Sequence, residues 1–244
     1  MPIYIGMAAQ PRRFPNLEIS VPILAKQCDK LWIVVNPEDS KTVEEPTPQL
    51  PAVFDEFDNL EIIINSKNLG DKEKFIGMQY QDKGYFFSID DDILYPSDYV
   101  EKHIEFMFQI ENWGITCVHA STFSPFGNTD GFAGKRKMYH FEWEQRALEK
   151  VLMPGTGTAC YDVSTFKMLP EEQPTTNMAD VWVACKAAQR GVPVYTIPRP
   201  NAWLKGLPSY GDAICENRPD KAMNDAVRGN RSHLQKMFGR LHEQ

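Results

Sequence analysis

The stretch Phe86-Phe87-Ser88-Ile89-Asp90-Asp91-Asp92-Ile93-Leu94-Tyr95-Pro96 sets an aromatic, apolar run directly against three consecutive carboxylates. Residues 85–89 (YFFSI) read as a buried strand, and Pro96-Ser97-Asp98 opens a helix on which Tyr99, His103, Phe106 and Ile110 share one face. The acidic triplet therefore stands at the carboxyl end of a strand. Open α/β sheets bind ligands in the crevice outside those ends. Three adjacent carboxylates repel one another, and a cation is the simplest compensation. Oxygen donors suit a hard ion such as Mg²⁺ or Mn²⁺. Alternation along a strand aims Asp90 and Asp92 to one side and turns Asp91 away, toward a neighbouring loop. The same triplet is also compatible with a plain helix N-terminal charge or a solvated loop.

Upstream, residues 2–8 (PIYIGMA), 31–35 (LWIVV) and 60–65 (LEIIIN) are apolar runs bounded by polar or turn residues, so they read as further strands. Residues 16–28 read as a helix with Pro22 in its first turn or at a kink. The proline- and acid-rich segment 37–59 reads as a surface loop. After the third strand, Asn65 to Phe75 (NSKNLGDKEKF) is a polar loop with one glycine and lysines able to meet phosphate charge. Strands alternating with helices argue for an α/β sheet with helices on its faces.

Downstream, 114–119 (GITCVH) reads as a strand and 121–140 as a long loop. GTGTACYDVSTF (155–166) reads as a loop entering a short strand and then a helix. A helix starts at Asn177-Met178-Ala179-Asp180, carries Val181, Ala184, Cys185 and Ala188 at i, i+3, i+4, i+7, and stops at Gly191. Strand 193–197 (PVYTI) follows, then a loop with Trp203.

The 244 residues, 42% hydrophobic and 24% charged, suit one large domain. No run approaches the ~20 apolar residues of a membrane span, and MPIYIGMAAQPRR does not have the pattern of a signal peptide. A soluble, cytoplasmic protein is the expectation. The five cysteines, Cys28, Cys117, Cys160, Cys185 and Cys215, lack C-x-x-C spacing and read as reduced thiols. The net charge of −7 argues against a broad polyanion-binding surface. The tail is the exception: from Arg218 to Arg240 it has Lys221, Arg228, Arg231 and Lys236 between those ends, against Asp220 and Asp225. It reads as a solvated terminal segment or as a flap over a diphosphate.

Taken in order, the first strand closing on Ala8-Ala9 with Arg12-Arg13, N-x-x-N-L-G-D-K-x-K-F at 65–75, FFSIDDDILYP at 86–96, GTGTACY at 155–161 and MADVWVA at 178–184 resemble a GT-A glycosyltransferase over roughly 200 residues. The resemblance implies a Rossmann-like single domain with a mostly parallel central sheet flanked by helices. Within it, 1–112 is mainly the nucleotide-binding half, 113–217 mainly the acceptor half, and 218–244 the basic tail. It further implies that the DxD-like triplet links Mn²⁺ or Mg²⁺ to the diphosphate of a nucleotide-sugar, with Asp92 and Asp90 at the metal, and Asp90 and Asp91 in the nucleotide-sugar site. Ala9, Arg12, Gly70, Asp71 and Lys74 become candidates for the nucleotide pocket.

Asp180, near a helix start, is implied to be the base that deprotonates an acceptor hydroxyl, which makes inversion the expected stereochemistry. Many relatives carry two acids where this chain has Ala179-Asp180. Gly157 resembles part of an acceptor or donor-sugar loop in which glycine lets backbone approach a sugar, and Trp203 is a candidate for stacking on one. Trp182 reads as packing, and His119, His140, His233 and His242 are candidates for a third metal ligand.

The expected reaction is hexosyl transfer from a UDP-sugar to an acceptor hydroxyl, on a bacterial surface glycan for instance. Nucleotidyl transfer is disfavoured, because MAAQPRR offers no glycine-rich loop after the first strand. Two alternatives stand beside it. One is glycosylation of a modified DNA base, with the tail and the aromatics of 123–143 as the groove. The other is a non-catalytic sugar- or nucleotide-binding module of the same fold.

Overall fold

A computed structural model describes residues 1–37, 49–125, 136–208, 210 and 220–239. Its strands are β1 (Ile3–Ala9), β2 (Lys30–Val35), β3 (Leu60–Ile64), β4 (Tyr85–Asp90), β5 (Ile93–Leu94), β6 (Ile115–Cys117), β7 (Ala120–Thr122), β8 (Lys137–Tyr139), β9 (Glu149–Val151), β10 (Met153–Pro154), β11 (Thr158–Asp162), β12 (Val194–Thr196) and β13 (Lys205–Gly206). The helices are α1 (Phe14–Ala25), α2 (Tyr99–Gln109), α3 (Ala179–Arg190), α4 (Asp220–Gly229) and α5 (Arg231–Gly239). Continuous 3₁₀ turns run from Gly70 to Tyr80.

The main sheet has the order β3-β2-β1-β4-β11-β6-β12-β9. β3, β2, β1, β4, β6 and β12 point one way, and only β11 and β9 oppose them. This is the mostly parallel α/β sheet expected from the alternation of strands and helices. Small sheets β10-β7-β8 and β13-β5 flank it.

Period-two alternation sorts each central strand between two cores. Leu31, Ile33 and Val35 of β2, with Tyr85, Phe87 and Ile89 of β4, pack with Leu17, Val21, Tyr99 and Met107 of α1 and α2. Trp32, Phe86 and Tyr161 face the other way, onto Phe75 and Met78 of the 3₁₀ run and Val183 and Ala184 of α3. Continuing the alternation past Phe86 and Ser88 carries Asp90 to that second face. Gly6 lies there too: a Cβ on it would sit 2.0 Å from the Lys74 carbonyl oxygen, so the 3₁₀ run rests directly on the backbone of β1.

Several readings of the sequence need correction. The segment 121–140 is not a plain loop, because β7 and β8 pair antiparallel at its two ends; residues 126–135 lie outside the described part. After β11 the chain makes a turn at 163–165 rather than a helix. Within 37–59, residues 52–56 form a 3₁₀ turn, and 38–48 lie outside the described residues. The basic tail contains two amphipathic helices that dock on α3, burying Met223, Val227 and Leu234. Arg218, Arg240, His242 and Cys215 lie outside the described residues. Among the described residues no helix is long and apolar enough to cross a membrane.

On α2, His103 is wholly buried, with Nδ1 2.8 Å from Thr116 Oγ1. Burial first, then the charge of Arg199, lowers its pKa to about 3. Below the ordinary histidine value the unfolded chain takes up a proton that the folded chain refuses, so this group's stabilisation is present above pH ~6.5 and is lost as pH falls toward 3. In urea melts between pH 7 and 4.5, His103→Gln is expected to lose less of its pH-7 stability than wild type. Equal losses would contradict the assignment.

Candidate functional site

β1 has β2 on one side and β4 on the other, so the order of strands reverses between β1 and β4. Crevices for ligands open at such a switch point, outside the carboxyl ends of the strands. Ala8 and Asp90 are register partners there. Asn36, buried just after β2, knits the rim together: its N–H donates to Ala9 O (2.8 Å), its Nδ2 to Gly70 O (3.3 Å), and its Oδ1 accepts from Asn65 Nδ2 (3.0 Å). Gly70 has φ +76, and a Cβ there would lie 2.5 Å from Asn177 Oδ1, so both conformation and space require glycine.

Lys74 occupies the centre. Only 3% of it is exposed, and its Nζ is paired with Asp90 Oδ1. Burial works against the ammonium, but the charges of Asp90, Asp71 and Asp180 outweigh it and hold the Lys74 pKa above the ordinary lysine value. Asp71 Oδ2 accepts the N–H of Ala179 at 3.0 Å, capping the start of α3. Burial raises the Asp71 carboxyl, Lys74 and the Ala179 N–H oppose that, and Asp180 and Asp90 push it further up. Asp180, in the first turn of α3, accepts on Oδ1 from both the Thr156 N–H (2.7 Å) and the Thr156 hydroxyl (2.6 Å). One buried cation is thus paired with Asp90 and lies in the field of two further carboxylates from separate segments, Asp71 and Asp180.

The triplet turn is clamped from both sides. Tyr95 OH accepts the Asp90 N–H at 2.8 Å and donates to Gly157 O at 2.5 Å. A Cβ on Gly157 would fall 1.9 Å from Asp90 Oδ2, so the glycine lets this loop lie directly against the carboxylate. Arg13 Nη1 is 3.3 Å from Asp92 Oδ2 and 3.8 Å from Asp91 Oδ1. Asn16 Nδ2 donates to Asp91 O (3.1 Å) and Pro208 O (3.0 Å), and Leu207 N–H donates to Asp92 O (2.7 Å).

Among the described residues no three His, Cys, Asp or Glu side chains gather as a metal site. Asp90 and Asp92 are two carboxylates of one turn, paired with Lys74 and Arg13 respectively. Burial and then the Asp90 charge raise the Asp92 carboxyl against the pull of Arg13 and Lys74. A divalent cation relieves that repulsion, and a hard ion held by one or two carboxylates draws its remaining ligands from water and phosphate. The residues present fit such an ion.

The structure brings Ala9, Gly70, Asp71, Lys74, Asp90, Asp91, Asp92, Gly157 and Asp180 to one end of the sheet. Arg12 donates to Gln10 just after β1, and its neighbour Arg13 meets the triplet. One candidate points elsewhere. Trp203 packs on Tyr99 (5.9 Å between rings) and donates to Asp98 Oδ1, behind the turn. Trp182 donates to Thr175 Oγ1 as part of the packing. The sequence reading missed Arg13, Asn36, Tyr95 and Thr156. His119 lies beside the site: its carbonyl accepts the Gly155 N–H at 2.8 Å, and burial lowers its pKa to about 4 despite the charge of Asp180. His233 sits on α5, which docks on α3.

No protein-family model matches the sequence, and no curated protein matches it either. Solved structures do match in fold. S. aureus TarS residues 1–349 in complex with UDP superposes with a TM-score of 0.57 at 11% identity, covering 98% of this chain and 71% of that one. The same protein in complex with UDP-GlcNAc gives 0.60 at 9% identity, covering 99% and 71%. At such identities the likeness establishes the shared fold.

Removing the buried cation leaves Asp90 without its partner, and because 40% of that side chain is exposed, solvent screens part of the loss, leaving about 1–3 kcal/mol. Lys74→Met is therefore expected to lower the urea-derived stability by that order, and Lys74→Arg by less. A Lys74→Met protein as stable as wild type would contradict the pairing.

Proposed function

We propose that the chain is a glycosyltransferase that moves a sugar from a UDP-sugar to an acceptor hydroxyl, with the donor at the carboxyl ends of β1 and β4. The observation that carries this reading is the Asp90–Lys74 pair at the switch point of the sheet, with Asp71 capping α3 and Asp180 held by Thr156 beside it. The fold shared with a protein crystallised with UDP and with UDP-GlcNAc supports it.

In this reading the nucleotide lies over Ala8-Ala9 and the Asn36–Gly70 rim, and its diphosphate approaches the triplet. Asp92 and Asp90 hold Mg²⁺ or Mn²⁺. When bound, the ion supplies positive charge to the departing diphosphate. Lys74 and Tyr95 fix Asp90, while Arg13 fixes Asp92, so the two carboxylates are preorganised before donor arrives. The two Thr156 bonds hold Asp180 by Oδ1, which leaves Oδ2 as the oxygen that meets the acceptor hydroxyl. Asp180 takes that proton as the hydroxyl oxygen attacks the anomeric carbon. The bond from that carbon to the diphosphate oxygen breaks, and UDP leaves with the electron pair. Attack from the face opposite the leaving group inverts the anomeric centre.

Calorimetry with UDP separates the roles. Binding is expected to need Mn²⁺, to disappear with chelator, and to weaken at least about tenfold in Asp92→Asn. Asp180→Asn is expected to bind UDP as wild type does while UDP-GlcNAc turnover falls about 10²–10⁴-fold. If both variants bind and turn over as wild type does, the reading is wrong.

A further inference from the structure

From His119, between β6 and β7 and near the candidate base, three further rings extend along the segment that follows β8. Asp180 holds Thr156, the preceding Gly155 donates its N–H to His119 O, and the His119 ring contacts His140 (5.5 Å, 79°) and Phe141 (6.1 Å). His140 stacks on Phe141 at 4.4 Å and lies 5.4 Å from Trp143. Trp143 ends the series with 57% of its surface exposed. An exposed indole in a mobile segment is unremarkable, but this one stands on a rigid base. Buried Arg199 donates to His140 O (2.9 Å), and Gln145 and Arg199 exchange backbone hydrogen bonds at 2.9 and 2.8 Å. Glu142 takes the N–H groups of Ala202 (2.7 Å) and Gly206 (3.0 Å). Rings held this firmly lose little side-chain freedom when a ligand covers them.

Two polar features show what covers it. His119 Nδ1 is buried and has no hydrogen-bond partner among the described residues, which is costly unless a ligand group completes it. His140 Nδ1 accepts from the Glu142 N–H at 3.3 Å, which puts the ring proton on Nε2 as a donor. Around the rings Arg136, Lys137, Arg146, Lys150 and buried Arg199 outnumber Glu142, Glu144 and Glu149 by two, but Lys137–Glu149 (3.5 Å) and Arg146–Glu144 (3.1 Å) pair internally and Arg199 donates to backbone carbonyls. A nucleic-acid strand selects a basic groove. A neutral ring with an apolar face and hydroxyl edges selects aromatic faces flanked by single donors and acceptors.

We propose that His140, Phe141 and Trp143 form a platform for a pyranose ring of a carbohydrate acceptor, with His119 reading one of its hydroxyls beside Asp180. The proposal rests on the transferase reading and names its acceptor class. The platform adjoins the β13–β5 sheet, with Phe141 packed against the α1–α2 core and Glu142 bonded to Ala202 and Gly206, and it shares no residue with those assigned to the nucleotide.

The test uses the full chain saturated with UDP and Mn²⁺, and ligand-observed NMR with tetrasaccharides of glucose, galactose and N-acetylglucosamine, and with a dT12 oligonucleotide. At least one saccharide is expected to bind, with affinity falling about tenfold in Trp143→Ala and by a similar factor in His140→Ala, while UDP affinity is unchanged. Wild type that binds UDP but no saccharide overturns the platform, as does saccharide binding that survives both substitutions. Oligonucleotide binding lost in Trp143→Ala, without saccharide binding, overturns it in favour of a nucleic-acid acceptor. Wild type that fails to bind UDP overturns the donor reading itself, and with it the basis of the platform, so the two failures are distinguishable.

Discussion

The Lys74 ammonium has almost no contact with water, yet it stands where three distant parts of the chain meet. Desolvating an ammonium is costly, and the structure offsets that cost with the carboxylates of Asp90, Asp71 and Asp180. Each carboxylate does a second task. Asp90 ends β4 and starts the triplet turn, Asp71 caps α3, and Asp180 is tied to the Thr156 loop. Because the 3₁₀ run lies against Gly6, Lys74 cannot shift without moving β1. The arrangement therefore fixes the distance between the proposed donor carboxylates and the proposed base before any substrate binds, as electrostatic preorganisation requires.

Rigidity around this point contrasts with what lies beyond it. The triplet turn is held on one side by Arg13 and Asn16 of the first helical segment and on the other by the chain at 205–208. The proposed acceptor side is built differently, from rings on a short segment anchored by Arg199. A proposed nucleotide end fixed by charge and a proposed acceptor end fixed by aromatic faces would suit transfer between a charged donor and a neutral carbohydrate. Docking of α4 and α5 on α3 buries the back of the helix that carries Asp180, so the tail supports the proposed base from behind.

Much of this was legible in residues 85–98. An apolar run ending in charge has one comfortable place in an α/β sheet, and period-two alternation alone sends Phe86, Ser88 and Asp90 to one face. The start of α3 at Ala179 and its stop at Gly191 were equally plain. Other parts turned on tertiary geometry. Arg12 and Arg13 are adjacent and chemically alike, and only the 3₁₀ turn over Pro11–Arg13 decides which one swings inward. Lys74 read as one of several lysines of a polar loop able to meet phosphate charge, because nothing local shows that the loop folds onto bare backbone at Gly6. Trp203 read as a loop residue able to stack on a sugar, and its packing against Tyr99 depends on the β13–β5 pairing, a contact across more than a hundred residues. In the tail, Met223, Val227 and Leu234 carry the apolar face, but the surrounding basic residues masked it.

The central claim is that nucleotide binds over the Lys74 carboxylate cluster at the β1–β4 crevice. Hydrogen–deuterium exchange with and without UDP and Mn²⁺ tests it without an acceptor. The account predicts slowed exchange in residues 66–75, 90–95 and 155–158, and little change in α2. Protection confined to other surfaces, or none at a UDP concentration that saturates binding, would contradict it.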